Sequence, residues 1–299
     1  MVTTLSLVNI EKSDIKYKIS KFPDGQQTLD ISHYHPYDVA TVEIRSRLNN
    51  FRDLELIICA TQALRNFGVQ YIELYVPYFL GSRSDRKFQV GGVNYLKQVI
   101  TPIINSLGFS KVTVMDPHSD VLEACLLNYE KISNFSLVKF ALTNIDNKNG
   151  AQERITLVSP DAGAYKKIFD VASEFKISNI VTANKIRNLV TGQIIKTEVP
   201  VTVHDAGKTF VIIDDICDGG RTFIEIAKAI RSITDLSSVS NQPTKIYLVV
   251  THGIFSSGFL ELSRHIDGIF STNSVNDYDV EEISDYTVDK NFLKQYNVF

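Results

Sequence analysis

At 299 residues, 44% hydrophobic and 22% charged, the chain has globular composition and room for two ordinary domains or one large one. A net charge of −3 excludes the basic footprint of a nucleic-acid or anionic-membrane binder, and no apolar run approaches the roughly 20 residues of a membrane helix. The N-terminus lacks a secretory pattern, and Cys59, Cys125 and Cys217 lie scattered in apolar surroundings without zinc spacing, so a cytoplasmic protein with core thiols is expected.

The first feature along the chain is a turn. In Lys21-Phe22-Pro23-Asp24-Gly25-Gln26 the proline fixes φ and Asp-Gly invites a tight reversal, which predicts a hairpin. His33 and His35 fall in a Tyr- and Pro-rich loop and read as surface. Leu54, Ile57, Ile58, Ala60, Ala63 and Leu64 share a helical stripe that ends near Gly68. Further on, strands are expected at residues 71–76, 111–115, 155–158, 210–213 and 245–250, each running into a polar cluster. Strands alternating with helical patterns predict an α/β fold with a mostly parallel sheet, whose ligands bind at the carboxyl ends of the strands.

The first of these clusters holds Arg83, Arg86 and Lys87 on a Gly/Ser loop with Ser84 and Asp85. Such a loop suits a clamp on polyphosphate, since Arg offers paired donors and Lys a point charge, or it is simply a solvated basic loop. A helix at residues 95–107 ends at Gly108, and the next strand presents Asp116-Pro117-His118, either a site for Mg²⁺ or a capped turn. The polar, Asn-rich stretch 144–150 is the best candidate for a boundary, dividing the chain into residues 1–146 and 147–299. Beyond it come Ser159-Pro160-Asp161 and then Lys185-Ile186-Arg187. That alternation places two cations on one face of an extended segment, for function or as plain edge-strand charge.

The most informative stretch is residues 209–223. Four apolar residues, Phe210 to Ile213, read as a strand covered on both faces, which Asp214 and Asp215 close. Asp218, Gly219, Gly220, Arg221 and Thr222 then form a turn into a helix whose Phe223, Ile226, Ala227 and Ile230 share one face. A Gly-rich turn at a helix N-terminus is an anion site, whereas the two carboxylates would repel an anion and accept instead from adjacent sugar hydroxyls. One pocket with both ends fits a ribose 5-phosphate; the plain alternative is an Asp-capped βα turn.

In motif order, from about Lys21 to about Ser274, the chain resembles the ribose-phosphate pyrophosphokinases, the phosphoribosyl pyrophosphate synthetases, of type I phosphoribosyltransferase fold. Phe22 and Asp24 match that family's Phe-Ser-Asp-Gly-Glu loop, with Gln26 for Glu. Arg83, Asp85 and Arg86 match its Arg-Gln-Asp-Arg, with Ser84 for Gln. Asp116 and His118 match its Asp-Leu-His, Asp161 and Gly163 its Ser-Pro-Asp-x-Gly-Gly, Lys185 and Arg187 its Lys-Arg-Arg. Thr251, His252, Phe255 and Ser256 match its Thr-His-x-x-Phe-Ser. Its Asp-Thr-x-Gly-Thr stands here as Asp218-Gly219-Gly220-Arg221-Thr222.

The resemblance implies two similar phosphoribosyltransferase-like domains and Mg²⁺-dependent transfer of the β,γ-diphosphoryl group of ATP to the 1-hydroxyl of ribose 5-phosphate, releasing AMP. Phe22, Asp24, Gln26, Arg83, Ser84, Asp85, Arg86 and His118 would bind ATP. Metal would go to His118, Asp116 and Asp161. Lys185, Arg187 and His118 would be catalytic, and residues 214, 215 and 218–222 would take the ribose phosphate. It also implies a homodimer or homohexamer, the loop at Phe22 serving a neighbouring subunit. Arg221 inside the cradle leaves a second acceptor open, a 5-substituted ribose such as ADP-ribose. A phosphoribosyltransferase and a non-catalytic regulatory homologue are further alternatives. Absence of GxxxxGK[ST] and GxGxxG disfavours a P-loop or Rossmann nucleotide site.

Overall fold

The computed structural model describes residues 2–33, 41–149, 154–187, 194–236, 242–278, 288–289 and 291–299, excluding the side chains of 33, 146–149, 185–187 and 194–195. The chain divides into two compact units, residues 1–133 with 298–299, and residues 134–297. No helix among the described residues is long and apolar enough to cross a membrane.

Unit 1 opens with β1 (Val2–Ser6), the hairpin β2 (Lys16–Lys21) and β3 (Gln27–His33), and β4 (Thr41–Arg45). Helix α1 (Phe51–Asn66) starts at a capping box in which Asn50 and Asp53 satisfy each other's backbone N–H groups. Leu54, Ile57, Ala60 and Leu64 are buried along its predicted stripe. Gly68, at φ +84, lies just beyond its end. Then follow β5 (Tyr71–Tyr75), a π-turn at Leu96–Ile100 leading into α2 (Thr101–Ser106), β6 (Lys111–Met115), α3 (Val121–Cys125) and β7 (Tyr129–Ile132). The sheet order β1-β4-β5-β6-β7 is parallel throughout. All five strands therefore deliver their following loops to one edge, those of β5 and β6 side by side.

Unit 2 contains α4 (Phe135–Asn149), β8 (Ile155–Ser159), α5 (Tyr165–Phe175), β9 (Ile180–Thr182), the hairpin β10 (Asn184–Arg187) and β11 (Ile194–Glu198), β12 (Thr209–Cys217), α6 (Arg221–Thr234), β13 (Lys245–Gly253), α7 (Leu260–Ser263), β14 (Gly268–Thr272) and β15 (Leu293–Tyr296). Its sheet, β15-β14-β13-β12-β8-β9, is also all parallel, with β12 in its interior. Phe210 and Ile212 join Phe223, Ile226 and Ile230 of α6 in one core cluster, while Val211 and Ile213 join Leu137, Ile168 and Val171 of α4 and α5 in another. Burial on both faces is the reason this strand carries no polar alternation.

Two sequence expectations change. The Asn-rich stretch is not a break: it ends α4, whose Leu137, Val138, Ala141 and Ile145 pack into the second unit, so the division falls at Ser133 instead of residue 146. Nor do Asp214 and Asp215 close their strand. β12 continues to Cys217 because β13 runs beside it as far as Gly253, pairing Asp214 with Val250 and Ile216 with His252.

Candidate active site

In unit 2, the acidic pair stands inside β12 where the sheet emerges from its helices. Asp215 is buried, its backbone N–H donates to Asp214 Oδ1 at 2.9 Å, and Lys167 Nζ of α5 approaches Asp215 Oδ1 to 4.0 Å. Burial, then the neighbouring charge of Asp215 and a hydrogen bond between the two side chains, push the Asp214 carboxyl well above the usual carboxylate range, against the opposing pull of the Asp215 backbone N–H and with Asp161 adding to the repulsion. Asp161 Oδ1 accepts from Gly163 N at 3.0 Å and Ala164 N at 3.1 Å, which fixes the turn into α5. Asp214 and Asp215 thus stand together within the field of the Asp161 carboxylate, with the Lys167 ammonium 4.0 Å from Asp215. Such a site favours a ligand that brings donors or positive charge.

The loop after β12 supplies the opposite chemistry. Ser256 Oγ donates to Asp218 Oδ1 at 2.5 Å, and a Cβ added at Gly219 would sit 3.0 Å from Ser257 Oγ. Gly220 has φ +78, and a Cβ there would lie 2.8 Å from Leu262 Cδ2. No side chain caps the start of α6 at Gly220, and although Phe223 N donates to Gly220 O at 3.0 Å, the amides of Arg221 and Thr222 are available to an anion. Both glycines are therefore needed for close packing, and Gly220 also for its backbone. Gly220→Ala is expected to cost about 1–3 kcal/mol in a denaturant titration, through a left-handed alanine and displacement of Leu262.

Nearby groups with nucleophilic or basic chemistry are occupied structurally. Burial, with Asp214 and Asp218 nearby, pushes the Cys217 thiol up to about 12, so it stays protonated. His252 lies within β13. It is buried, with Nδ1 at 2.9 Å from Ser274 Oγ, in a cluster where Thr272 Oγ1 donates to Thr251 O at 2.6 Å. Lys185 and Arg187 lie on β10, which pairs antiparallel with β11 and has the extended backbone that their alternation requires. Their side chains are outside the described set.

In unit 1, the predicted hairpin turn forms, with Phe22 N donating to Gln26 O at 2.9 Å, Gln26 N to Asp24 Oδ1 at 3.1 Å, and Gly25 at φ +98. Phe22, Asp24 and Gln26 are all exposed on its tip. The loop after β5 starts alongside the end of β6, since Met115 N, in the last residue of that strand, donates to Pro77 O at 3.1 Å. Arg83 and Arg86 are exposed on that loop, Arg86 lying 5.7 Å over the ring of Phe88. Backbone carbonyls hold its inner part: Ser84 O accepts from Leu96 N at 3.2 Å and Asp85 O from Asn94 Nδ2 at 2.6 Å. In the turn, Asp116 is buried at φ +40, a strained value for a non-glycine, and His118 is exposed.

The structure therefore gathers Asp161, Asp214, Asp215 and the loop at residues 218–222 in one unit, and the loop at Arg83 to Arg86 with the Asp116 turn in the other. Among the described residues, no three His, Cys, Asp or Glu side chains come together as a metal site built from protein alone. Sequence reasoning missed Lys167, because a lysine on an amphipathic helix looks like solvated face. It also missed what Ser256, Ser257 and Leu262 do, since that follows only from how β13 and α7 pack on the glycine loop.

A family model described as the phosphoribosyl transferase domain matches residues 128–234. The chain is 25% identical over 267 residues to the ribose-phosphate pyrophosphokinase of Marinomonas sp. (strain MWYL1), covering 86% of this chain and 78% of that protein. It is 26% identical over 265 residues to the ribose-phosphate pyrophosphokinase of Thermococcus kodakarensis, covering 87% and 86%. Among solved structures, phosphoribosylpyrophosphate synthetase from Mycobacterium smegmatis matches with a TM-score of 0.75 at 14% identity, covering 99% of this chain and 94% of that one. The fold is that of two phosphoribosyltransferase-like domains, each a mostly parallel sheet flanked by helices.

Proposed function

The chain belongs to the ribose-phosphate pyrophosphokinase family, and from that premise we propose that it transfers the β,γ-diphosphoryl group of ATP to the anomeric hydroxyl of ribose 5-phosphate. The observation that carries the acceptor half is the juxtaposition of Asp214 and Asp215 with the uncapped, glycine-bordered start of α6. The carboxylates accept from the ribose hydroxyls and the first-turn amides hold the 5-phosphate. The anomeric oxygen then bonds to the β-phosphorus as the bond from that phosphorus to the α,β-bridging oxygen breaks, giving phosphoribosyl pyrophosphate and AMP. Placement and charge neutralisation dominate such a step, and no protein nucleophile is required.

Arg83 and Arg86 grip the polyphosphate, with Ser84 and Asp85 shaping the loop, and Phe22, Asp24 and Gln26 contact the nucleotide from a neighbouring copy in a dimer or hexamer. Lys185 and Arg187 balance charge on the transferring group. The Asp161 carboxylate fits Mg²⁺, as do Asp116 and His118, directly or through water. When bound, Mg²⁺ neutralises the polyphosphate and polarises it toward attack.

Arg221 favours a second acceptor. It occupies the first position of α6, is exposed and has no hydrogen bond or ion pair among the described residues. The helix dipole disfavours a cation there, so an anion is its natural complement. A 5-substituted ribose such as ADP-ribose carries a second phosphate to meet it. Parallel assays of AMP release with ribose 5-phosphate and ADP-ribose decide between them. Ribose 5-phosphate is expected to be used, and Arg221→Gly is expected to raise its KM about threefold to tenfold through loss of a charged contact. Marked preference for ADP-ribose, abolished by Arg221→Gly, would install the second reading. No AMP from ATP with either acceptor would rule out the pyrophosphokinase altogether and leave the transferase or regulatory alternatives.

A further inference from the structure

Ser82 carries a buried hydroxyl for which the arrangement described so far has no use. The residue is 5% exposed, and its Oγ has no hydrogen-bond partner among the described residues. An orphaned hydroxyl costs stability that an alanine at the same place would not. The backbone around it is nevertheless firmly held. Ser82 N donates to Phe79 O at 3.1 Å and Ser84 N to Gly81 O at 2.8 Å. Gly81 is at φ +83, and a Cβ there would lie 2.8 Å from Cδ1 of Tyr95, so the loop is wedged against the residue that precedes the π-turn at Leu96–Ile100. Single π-turns recur where helices must adjust for function. The segment presenting Arg83 and Arg86 thus combines a tight seat, a left-handed glycine and an unsatisfied hydroxyl. Those are the properties of an element whose polar groups are better satisfied in a second arrangement.

We infer that Ser82 biases this loop toward a nucleotide-closed arrangement in which its Oγ is hydrogen-bonded, making it a positioning residue that sets ATP affinity through Arg83 and Arg86. This rests on the reading of the loop as the ATP site. In the nucleotide-free state the orphan raises the energy of the open loop. Closure on ATP relieves it, so part of the apparent ATP affinity comes from a residue that need not touch ATP.

The test is Ser82→Ala in the full chain, with thermal unfolding, steady-state kinetics and amide hydrogen exchange measured with and without ATP. The variant is expected to melt higher than wild type without nucleotide, and to show an ATP KM raised about fivefold to tenfold, the loss of one satisfied hydrogen bond. The KM for ribose 5-phosphate should stay in place, and the loss should fall on KM for ATP rather than on kcat. Exchange protection of residues 79–86 by ATP should weaken in step. An unchanged ATP KM in an active Ser82→Ala enzyme overturns the inference and leaves the ATP-loop reading intact. Absence of any ATP-dependent protection of residues 79–86 in wild type overturns that reading and the inference with it. Crystals with and without ATP that show the same loop, with an ordered water on Ser82 in both, overturn the inference alone.

Discussion

Lys185→Ala is expected to lower turnover by about a hundredfold to a thousandfold, the usual cost of removing one preorganised donor from developing transition-state charge. The thermal transition should move by less than about 2 °C, because the strand that carries Lys185 lies outside the six-stranded sheet of its unit. The asymmetry follows from where the residue stands. β10 pairs with β11 as a two-stranded hairpin and takes no place in the six-stranded sheet that organises the second unit. A cation on such a hairpin has no core to hold together, so its loss should appear in chemistry and not in folding. Removing Arg187 as well should cost less than the two single losses multiplied, since both act on the same diphosphoryl group. Single-turnover AMP formation checks this directly. Near-normal release from Lys185→Ala would take both residues out of the transition state.

How far this arrangement was legible beforehand can be traced residue by residue. Residues 111–115 form a strand with the predicted bounds, because a short β-branched run, Val112, Thr113 and Val114, between a glycine-ended helix and an Asp-Pro turn leaves little else to form. The hairpin at Phe22 to Gln26 was equally readable, since Pro and Asp-Gly act locally. β1, β4 and β14 escaped notice because each is only five residues long, too short for its pattern to stand out from the loops around it. The extension of β12 through Asp214 to Cys217 was invisible for a different reason: only the parallel neighbour β13 supplies the partners that keep two carboxylates in a strand. The nature of the site was legible, as the alternation of acids and glycines is chemical. Its electrostatics were not, because Lys167 and Asp161 come to Asp215 and Asp214 through the packing of α5 and the turn before it. Local rules reach the loop, whereas tertiary contacts decide what the loop faces.

That crowding makes the second large prediction. The folded protein holds the Asp214 carboxyl above its ordinary value, so the folded state binds the proton more tightly than the unfolded one. The contribution to stability is therefore fully present below the unfolded carboxylate range and is lost as pH rises through the folded pKa. Above the unfolded carboxylate range the substrate-free protein therefore carries the cost of keeping this carboxyl beside Asp215. Asp214→Asn removes it, and the variant is expected to melt about 2–4 °C higher than wild type at pH 7–8, with the difference closing in acid. Asp215→Asn should show a smaller rise, because it gives up the charge that the Lys167 ammonium approaches to 4.0 Å. Substrate reverses the order. Ribose hydroxyls donate to the ionised form, so their binding should release a proton and tighten as pH climbs through the folded pKa. Asp214→Asn loses those charge-assisted bonds and should bind ribose 5-phosphate about tenfold to a hundredfold more weakly, with no pH dependence from this group. Thermal scans across pH with and without ribose 5-phosphate test both halves at once. A variant less stable than wild type at every pH would mean that Asp214 holds the fold together, and a variant still fully protected by the sugar phosphate would remove Asp214 from its binding site. The two outcomes separate because one concerns the empty protein and the other the occupied one. A carboxylate kept at a cost in the empty enzyme and repaid by the diol is the behaviour expected of a binding group, and it is opposite in sign to that of a carboxylate kept for the fold.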